Sequence, residues 1–413
     1  MSSKKSSPLF PIILTVFLDL LGLGIVIPIA APLLLTPLEG MLPLNAGLSE
    51  RSIVLGFLLG IYSIAQFFGA PILGTLADKY GRKKLLLLSL AGTCAGYVLF
   101  AVGILQRNIW LCFASRVLDG FTGGNISIAN SAIADITDEK NRAKNFGLVG
   151  MSFGLGFILG PFIGGVLANP RLVSWFDYDT PYWFAALLSL VNMLVLMALF
   201  QETLRHKQER HISLATGFRN VGKAFSQRNL SAIFLTVFLV TFGFNFFTQF
   251  FQVFLIHKFS YSPTDIANLF GYIGLWLAFT QGAITRPLSK RFEPAGIVAV
   301  STLLCAVTFP FLLLPSRSAW IYAIVPFIAI LNGLATPNLT AVISMQASAQ
   351  EQGSMLGIRQ SMQALAMAFP PILAGFITGI NVNMPMWAAA VFTLLGGLVF
   401  VLMFRKKSTV PQA

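Results

Sequence analysis

Four ionisable side chains, Asp19, Arg116, Asp119 and Arg359, interrupt long apolar stretches of the chain. A charge at the centre of a bilayer costs about 2.5–3.5 kcal/mol even on insertion scales, so each needs a partner or a cavity, and such groups mark proton or substrate paths. An aspartate beside an arginine can bind and release a proton as its access to water changes. Asp19 is the first candidate for that exchangeable proton, and Arg116 for the group that tunes it. Asp119, three residues further on, is either a second proton site or the counter-ion of Arg116. Arg359 lies only about six residues into its apolar stretch and is a candidate for a substrate cavity or for snorkelling to the surface.

The elements that must hold these groups follow from composition. Of 413 residues, 56% are hydrophobic and 10% charged, and the mean hydropathy is +0.77. Soluble domains carry roughly 25% charged residues, so the chain is read as an integral membrane protein. Residues 85–105 and 298–314 are apolar on every side, which excludes the alternation of a barrel strand. Helical spans are expected at 9–35, 51–74, 84–105, 108–134, 143–168, 181–200, 229–256, 265–285, 295–315, 319–345, 354–380 and 384–404. Along these helices Asp19 lies ~14 Å from one side, and Arg116 and Asp119 ~12 and ~16 Å from the other, so all three can meet near the midplane.

With the first residues inside, 21 of the 28 basic residues fall in inward segments, five in outward loops and two within spans. That is the positive-inside bias, and it accounts for the net charge of +13 without nucleic acid. A multi-pass cell (inner) membrane protein with both termini in the cytoplasm is expected. Lys4 and Lys5 precede an apolar stretch too long for a signal peptide and without a small-residue cleavage pattern, so the first span is expected to stay. Cys94, Cys112 and Cys305 all lie in spans, without metal spacing, so neither a disulfide framework nor a metal site is expected.

The chain also repeats itself. A shift of 213 residues pairs Ser49 with Ser262, Ile53 with Ile266, Phe57 with Phe270, Gly69 with Gly282, Leu118 with Leu331, Gly120 with Gly333, Asn125 with Asn338 and Ser131 with Ser344. A shift of 210 pairs Gly147 with Gly357, Pro161 with Pro371 and Gly165 with Gly375. Ser262-Pro263-Thr264-Asp265 reads as a helix cap with proline at the first position. Two parallel six-helix bundles, 1–200 and 229–413, are expected on either side of a basic cytoplasmic linker, 201–228, that contains His206 and His211.

The motifs agree with one family. The loop after the second span, Gly74-Thr75-Leu76-Ala77-Asp78-Lys79-Tyr80-Gly81-Arg82-Lys83-Lys84, resembles the signature of the major facilitator superfamily. Gly74 allows close helix approach and Gly81 a tight turn. The resemblance implies a conformational lock in which Asp78 faces the eleventh span near Gly353 and Ser354 and Arg82 pairs with Asp135. The second-half loop has Lys290 where Asp78 stands, so the lock is asymmetric.

Gly156, Gly160, Pro161, Gly164 and Gly165 of the fifth span resemble the glycine-proline motif of proton-coupled antiporters, and small residues at this spacing also pack helices closely. Asp19 with Pro28, and Arg116 with Gly120, resemble first-span and fourth-span motifs of drug:proton antiporters, whose arginine is assigned to proton transfer.

The resemblance implies an all-α membrane fold of 12 helices and a secondary transporter, exporting small hydrophobic or amphiphilic compounds in exchange for protons by rocker-switch alternating access. Its implied partners are a small-molecule substrate, protons and the lipid bilayer, with no cofactor, and a monomer is expected. The alternative is a proton-coupled or facilitative carrier of a metabolite, sugar or lipid. Seventh-span phenylalanines, among them Phe242, Phe246, Phe250 and Phe254, interleave with Asn245, Gln249 and Gln252. Such a face suits an apolar molecule held by few directional bonds. Gln66, Asn245, Phe246, Gln249, Asn332 and Arg359 are the cavity candidates. The chain has neither a phosphate-binding loop nor a zinc-protease motif, which argues against an ATPase or a membrane hydrolase. Some tetracycline exporters carry an acid within the ninth span; here Glu293 lies before that span, which weakens tetracycline itself as the substrate.

Overall fold

Hydrocarbon offers no partner to a backbone N–H or C=O, so each spanning segment must close its hydrogen bonds on itself. The computed structural model describes residues 9–36, 41–137, 148–149, 152, 155–156, 159–204, 216–226, 230–346 and 352–405. Every regular element among the described residues is helical. They are α1 (Leu9–Leu35), α2 (Leu48–Tyr80), α3 (Arg82–Leu105), α4 (Ile109–Thr122), α5 (Asn125–Ile136), α6 (159–167), α7 (Thr180–Leu199) and α8 (Thr216–Ser226), followed by α9 (Ser231–Phe259), α10 (Pro263–Phe279), α11 (Thr285–Arg291), α12 (Pro294–Phe311), α13 (Ala319–Met345), α14 (Gln352–Ala368), α15 (Pro370–Ile380) and α16 (Met384–Val399).

Among the described residues nine helical segments are long and apolar enough to cross a membrane. Three further spans are broken or partly described, and they complete twelve. α4 and α5 form the fourth, interrupted at Gly123 and Gly124, and α6 is the described part of the fifth. α10 and α11 form the eighth, joined by the π-helical turn Thr280–Ile284, in which the Thr285 hydroxyl donates to the Thr280 carbonyl at 3.0 Å. The eighth span opens on the expected cap: Ser262 N–H donates to Asp265 at 2.9 Å, and Asp265 N–H to the Ser262 hydroxyl at 3.2 Å.

Two features differ from the sequence reading. The signature segment is helix rather than loop up to Tyr80, and the turn is a single residue, Gly81, at φ 109°. Nothing between Gly74 and Tyr80 breaks a helix, and only a residue without a β-carbon takes that φ without strain. The interval between the sixth and seventh spans contains the amphipathic helix α8, which inserts Ala224 into an apolar cluster with Phe234, Val298 and Met355.

The chain forms two compact units, one of residues 1–45, 61–214 and 262–271, the other of 46–60, 215–261 and 272–413. The first has a core of Ile12, Val16, Leu86, Leu90, Ala129, Ile133 and Leu196 from α1, α3, α5 and α7. The second is built on Phe234, Val237, Val298, Val342, Ile358 and Met362 from α9, α12, α13 and α14. The repeat is visible in packing: a β-carbon on Gly165 would strike Ala267, and one on its repeat mate Gly375 would come within 2.6 Å of the Ser52 carbonyl oxygen.

α1 and the fifth span touch backbone to backbone. A β-carbon on Gly160 would approach the Leu21 carbonyl oxygen to 2.6 Å and the Gly24 α-carbon to 2.7 Å, and one on Gly164 would strike the carbonyl oxygen of Ile25. Gly296, by contrast, has open space around it. Gly160→Leu is therefore expected to destabilise the protein by about 1–3 kcal/mol, the usual range for overpacking, while Gly296→Ala stays within about 0.5 kcal/mol. Thermal midpoints of the two variants in one detergent check this, and equal midpoints would refute the packing account.

Candidate functional site

The ionisable groups of the first unit collect where α1, α2, α3 and α4 approach. Arg116 Nη2 lies 3.1 Å from Asp119 Oδ2, and both side chains are only 3% exposed. Three residues apart on one helix, they share a face, so the pair forms without help from another span. The guanidinium also lies over the ring of Phe100 at 4.9 Å and over that of Tyr62 at 5.7 Å, both within cation–π range. Phe100 is itself stacked on Tyr182 at 4.2 Å, which fixes the ring beneath the charge.

Asp19, on α1, is left over from that pairing. Its Oδ2 is buried with no hydrogen-bond partner within 3.5 Å, and the polar side chain facing the carboxyl is the amide of the fully buried Asn125. Asp19 and Asp119 line one small void together with Leu23, Tyr62, Thr93, Tyr97, Gly123 and Ile126. Its volume, about 10 Å³, is close to what one water needs. The void exists because glycines admit bulkier neighbours: Gly22 faces the Tyr97 hydroxyl, Gly96 the β-carbon of Asp119, and Gly123 the hydroxyl of Tyr62. Chemically, this is a carboxyl with a free oxygen next to an already neutralised pair, in contact with room for one water.

A second cluster surrounds the α2–α3 turn. Arg82 has a side chain 7% exposed, forms an ion pair with Asp78 four residues before it across the Gly81 turn, and donates from Nε to Asp135 at 3.2 Å. Asp135 also accepts from the Thr203 hydroxyl at 3.2 Å. Glu202 accepts from the backbone N–H of Arg82 at 2.9 Å and of Lys83 at 3.1 Å. Gly81 has no side chain to cap α3, so a carboxylate from the end of the sixth span takes over that task. The surroundings of Gly353 and Ser354, named as facing Asp78, lie outside what the structure describes.

The remaining candidates are dispersed. Gln66 donates to the Gly123 carbonyl at 3.1 Å and so braces the break in the fourth span. Phe246 is 2% exposed and stacked parallel to Phe392, and Phe242, Phe250 and Phe254 are buried as well. The phenylalanine stripe is therefore a packed ring core of the second unit. Asn245 is buried with its carbonyl oxygen unpaired, while Gln249, Asn332 and Arg359 are partly exposed. Of the antiporter-motif residues, Gly156, Gly160, Pro161 and Gly164 lie against α1, and Gly165 against the start of α10.

Sequence reasoning missed Tyr62, Thr93, Tyr97, Asn125, Glu202 and Thr203 as members of these clusters. Asn125 had a signal in its repeat pairing with Asn338, and Glu202-Thr203 in their position directly after an apolar span. The tyrosines had none, because a tyrosine in an apolar span reads as packing. Among the described residues there is no group of His, Cys, Asp or Glu side chains arranged to hold a metal ion.

The helical architecture and these motifs have a match in known proteins. The family profile of the Major Facilitator Superfamily covers residues 12–369 and, in a second match, 287–413. The chain is 29% identical over 373 residues to the class C tetracycline resistance protein of Escherichia coli, covering 90% of this chain and 89% of that protein. It is 28% identical over 399 residues to multidrug resistance protein 1 of Bacillus subtilis, covering 95% of each. The crystal structure of the human organic anion transporter MFSD10 superposes with a TM-score of 0.73 at 23% identity, over 97% of this chain and all of that one. A twelve-helix membrane fold, an internal repeat, the loop signature and a profile match across nearly the whole length make this chain a member of the major facilitator superfamily, a non-enzymatic, multi-pass membrane transporter of small molecules.

Proposed function

We propose that the chain exports small hydrophobic or amphiphilic compounds in exchange for protons, as a monomer with both termini in the cytoplasm and by rocker-switch alternating access. The observation that carries the coupling is the buried, unpartnered carboxyl oxygen of Asp19 beside the Arg116–Asp119 pair. Because Asp119 already neutralises Arg116, Asp19 is the acid whose charge is not spoken for. The names of the tetracycline and multidrug resistance relatives support the exporting direction and the substrate type. Arg82, Asp78 and Asp135 are assigned to the lock, joined by Glu202, which ties the end of the sixth span to the start of α3.

The coupling is tested in proteoliposomes under an imposed pH gradient, with a panel of lipophilic cations, tetracyclines and sugars. Asp19→Asn is expected to lower substrate-driven proton movement by at least about 100-fold, the scale for losing a proton-transfer group, while substrate still exchanges across the membrane without net proton flow. If Asp19→Asn dissipates the gradient as fast as the unaltered protein, Asp19 is not the site. A labelled sugar or other metabolite equilibrating in both, with no proton movement, would favour the facilitative carrier.

The ion pair makes a separate prediction. Removing one partner of a buried pair leaves an uncompensated charge, which costs about 3–5 kcal/mol, whereas neutralising both costs much less. Asp119→Asn alone should therefore lower the thermal midpoint more than Arg116→Gln/Asp119→Asn together. The reverse order would mean that the two side chains do not neutralise each other.

A further inference from the structure

Of the two arginines counted deep within the spans, Arg116 is matched by Asp119, whereas Arg359 has no acid within four residues of it along its helix. Its neighbours along α14 show which way it faces. Met355, Ile358, Met362 and Ala366 are all buried, and Met355, Ile358 and Met362 join the core shared with α9 and α13. Arg359 lies four residues after Met355 and three before Met362, on that same face, while Gln360 next to it is exposed. The side chain is therefore rooted on the protein side of the helix, and its Nε is buried without an acceptor.

Among the described residues of the second unit no carboxylate lies within an expected span. From Ile266 to Phe404 the chain has two acids, Glu293 and Glu351, and neither lies inside an expected span. Among the described residues of the second unit the carboxylates are Glu50 and Glu293, both exposed and both at helix starts. In the first unit the comparable charge, Arg116, has Asp119 at 3.1 Å. A guanidinium stays protonated, presents its N–H groups as a planar fork that fits a carboxylate or another oxyanion, and is costly to bury alone.

We propose that Arg359 is a receptor for the anionic group of a transported amphiphile, so that the substrates of this protein include organic anions bearing a carboxylate or sulfonate. The assignment rests on the export reading above and deepens it: the apolar body of the substrate is held by the bundle, and its charge is matched by Arg359. The same oxyanion chemistry could come from an anionic lipid headgroup, and the experiment separates the two sources.

The probes are a fluorescent aromatic carboxylate and its neutral methyl ester. Binding of each to purified protein in an uncharged detergent is followed by fluorescence anisotropy, and gradient-driven flux is measured in phosphatidylcholine vesicles. For Arg359→Gln the ratio of carboxylate to ester affinity is expected to fall at least tenfold, and Arg359→Lys, which keeps the charge but not the fork, should fall between. An unchanged ratio, or a parallel loss of both probes, overturns the proposal. Vesicles containing phosphatidylglycerol provide the lipid arm. If that lipid raises the thermal midpoint only when Arg359 is present, and the carboxylate-to-ester ratio does not depend on Arg359, the guanidinium belongs to lipid and the proposal falls. Binding is read without any gradient, so a tenfold loss of selectivity supports the receptor even where no probe moves protons, a result that would sink only the coupling.

Discussion

A guanidinium in hydrocarbon must have a counter-ion, and Asp119 supplies one to Arg116 from the next turn of the same helix. Much of the first unit's interior follows from that pairing. Because the pair is internal to α4, no other span has to contribute an acid to neutralise it, and Asp19 on α1 is released from structural duty. Phe100 and Tyr62 add their ring faces to the guanidinium, and Tyr182 holds Phe100 in place. On the proposed coupling, an acid that is close to the pair yet not consumed by it is the group left to change protonation.

Close helix approach makes this arrangement possible. Gly22, Gly96 and Gly123 each stand where a β-carbon would collide with Tyr97, Asp119 or Tyr62, so the polar side chains occupy space that glycines vacate. The same device carries the fifth span along α1 through Gly156, Gly160 and Gly164. In a bilayer, where no hydrophobic driving force operates between helices, such backbone contact supplies much of the association energy. The glycines of the antiporter-like motif are thus explained by packing, and that packing also fixes the depth of Asp19, which lies one residue before the Leu20–Leu21 segment they touch.

The span count, the repeat and the ionisable cluster were legible in the sequence because each rests on a strong energetic rule: apolar length, duplicated packing glycines, and the cost of charge in lipid. What was not legible depends on which helices meet. Glu202 caps α3 from 119 or more residues away in the chain, and nothing local to Gly81 announces that its cap comes from elsewhere. The phenylalanines of α9 have the spacing of an open aromatic face, yet Phe246 is stacked on Phe392 of α16, and spacing alone cannot tell a ring that faces a ligand from one that faces another ring. The signature segment was read as the loop after the second span, whereas α2 runs on to Tyr80 and Asp78 and Arg82 pair across the one-residue turn at Gly81.

The two halves keep each other's packing but not each other's charges. Gly165 and Gly375 meet equivalent helix starts, and Gly120 and Gly333 both lie against a neighbouring span, yet the repeat positions of Asp19, Arg116 and Asp119 are Ala232, Ala329 and Asn332. Each additional buried charge would carry an insertion cost of about 2.5–3.5 kcal/mol, so a charge without a task is not expected to persist, whereas a glycine at a helix crossing is required in both copies. Arg359 is likewise without a counterpart, its repeat position being Val149. Among the described residues no acid within the spans of its own unit balances that charge, and the proposed anion receptor gives it a task that packing does not.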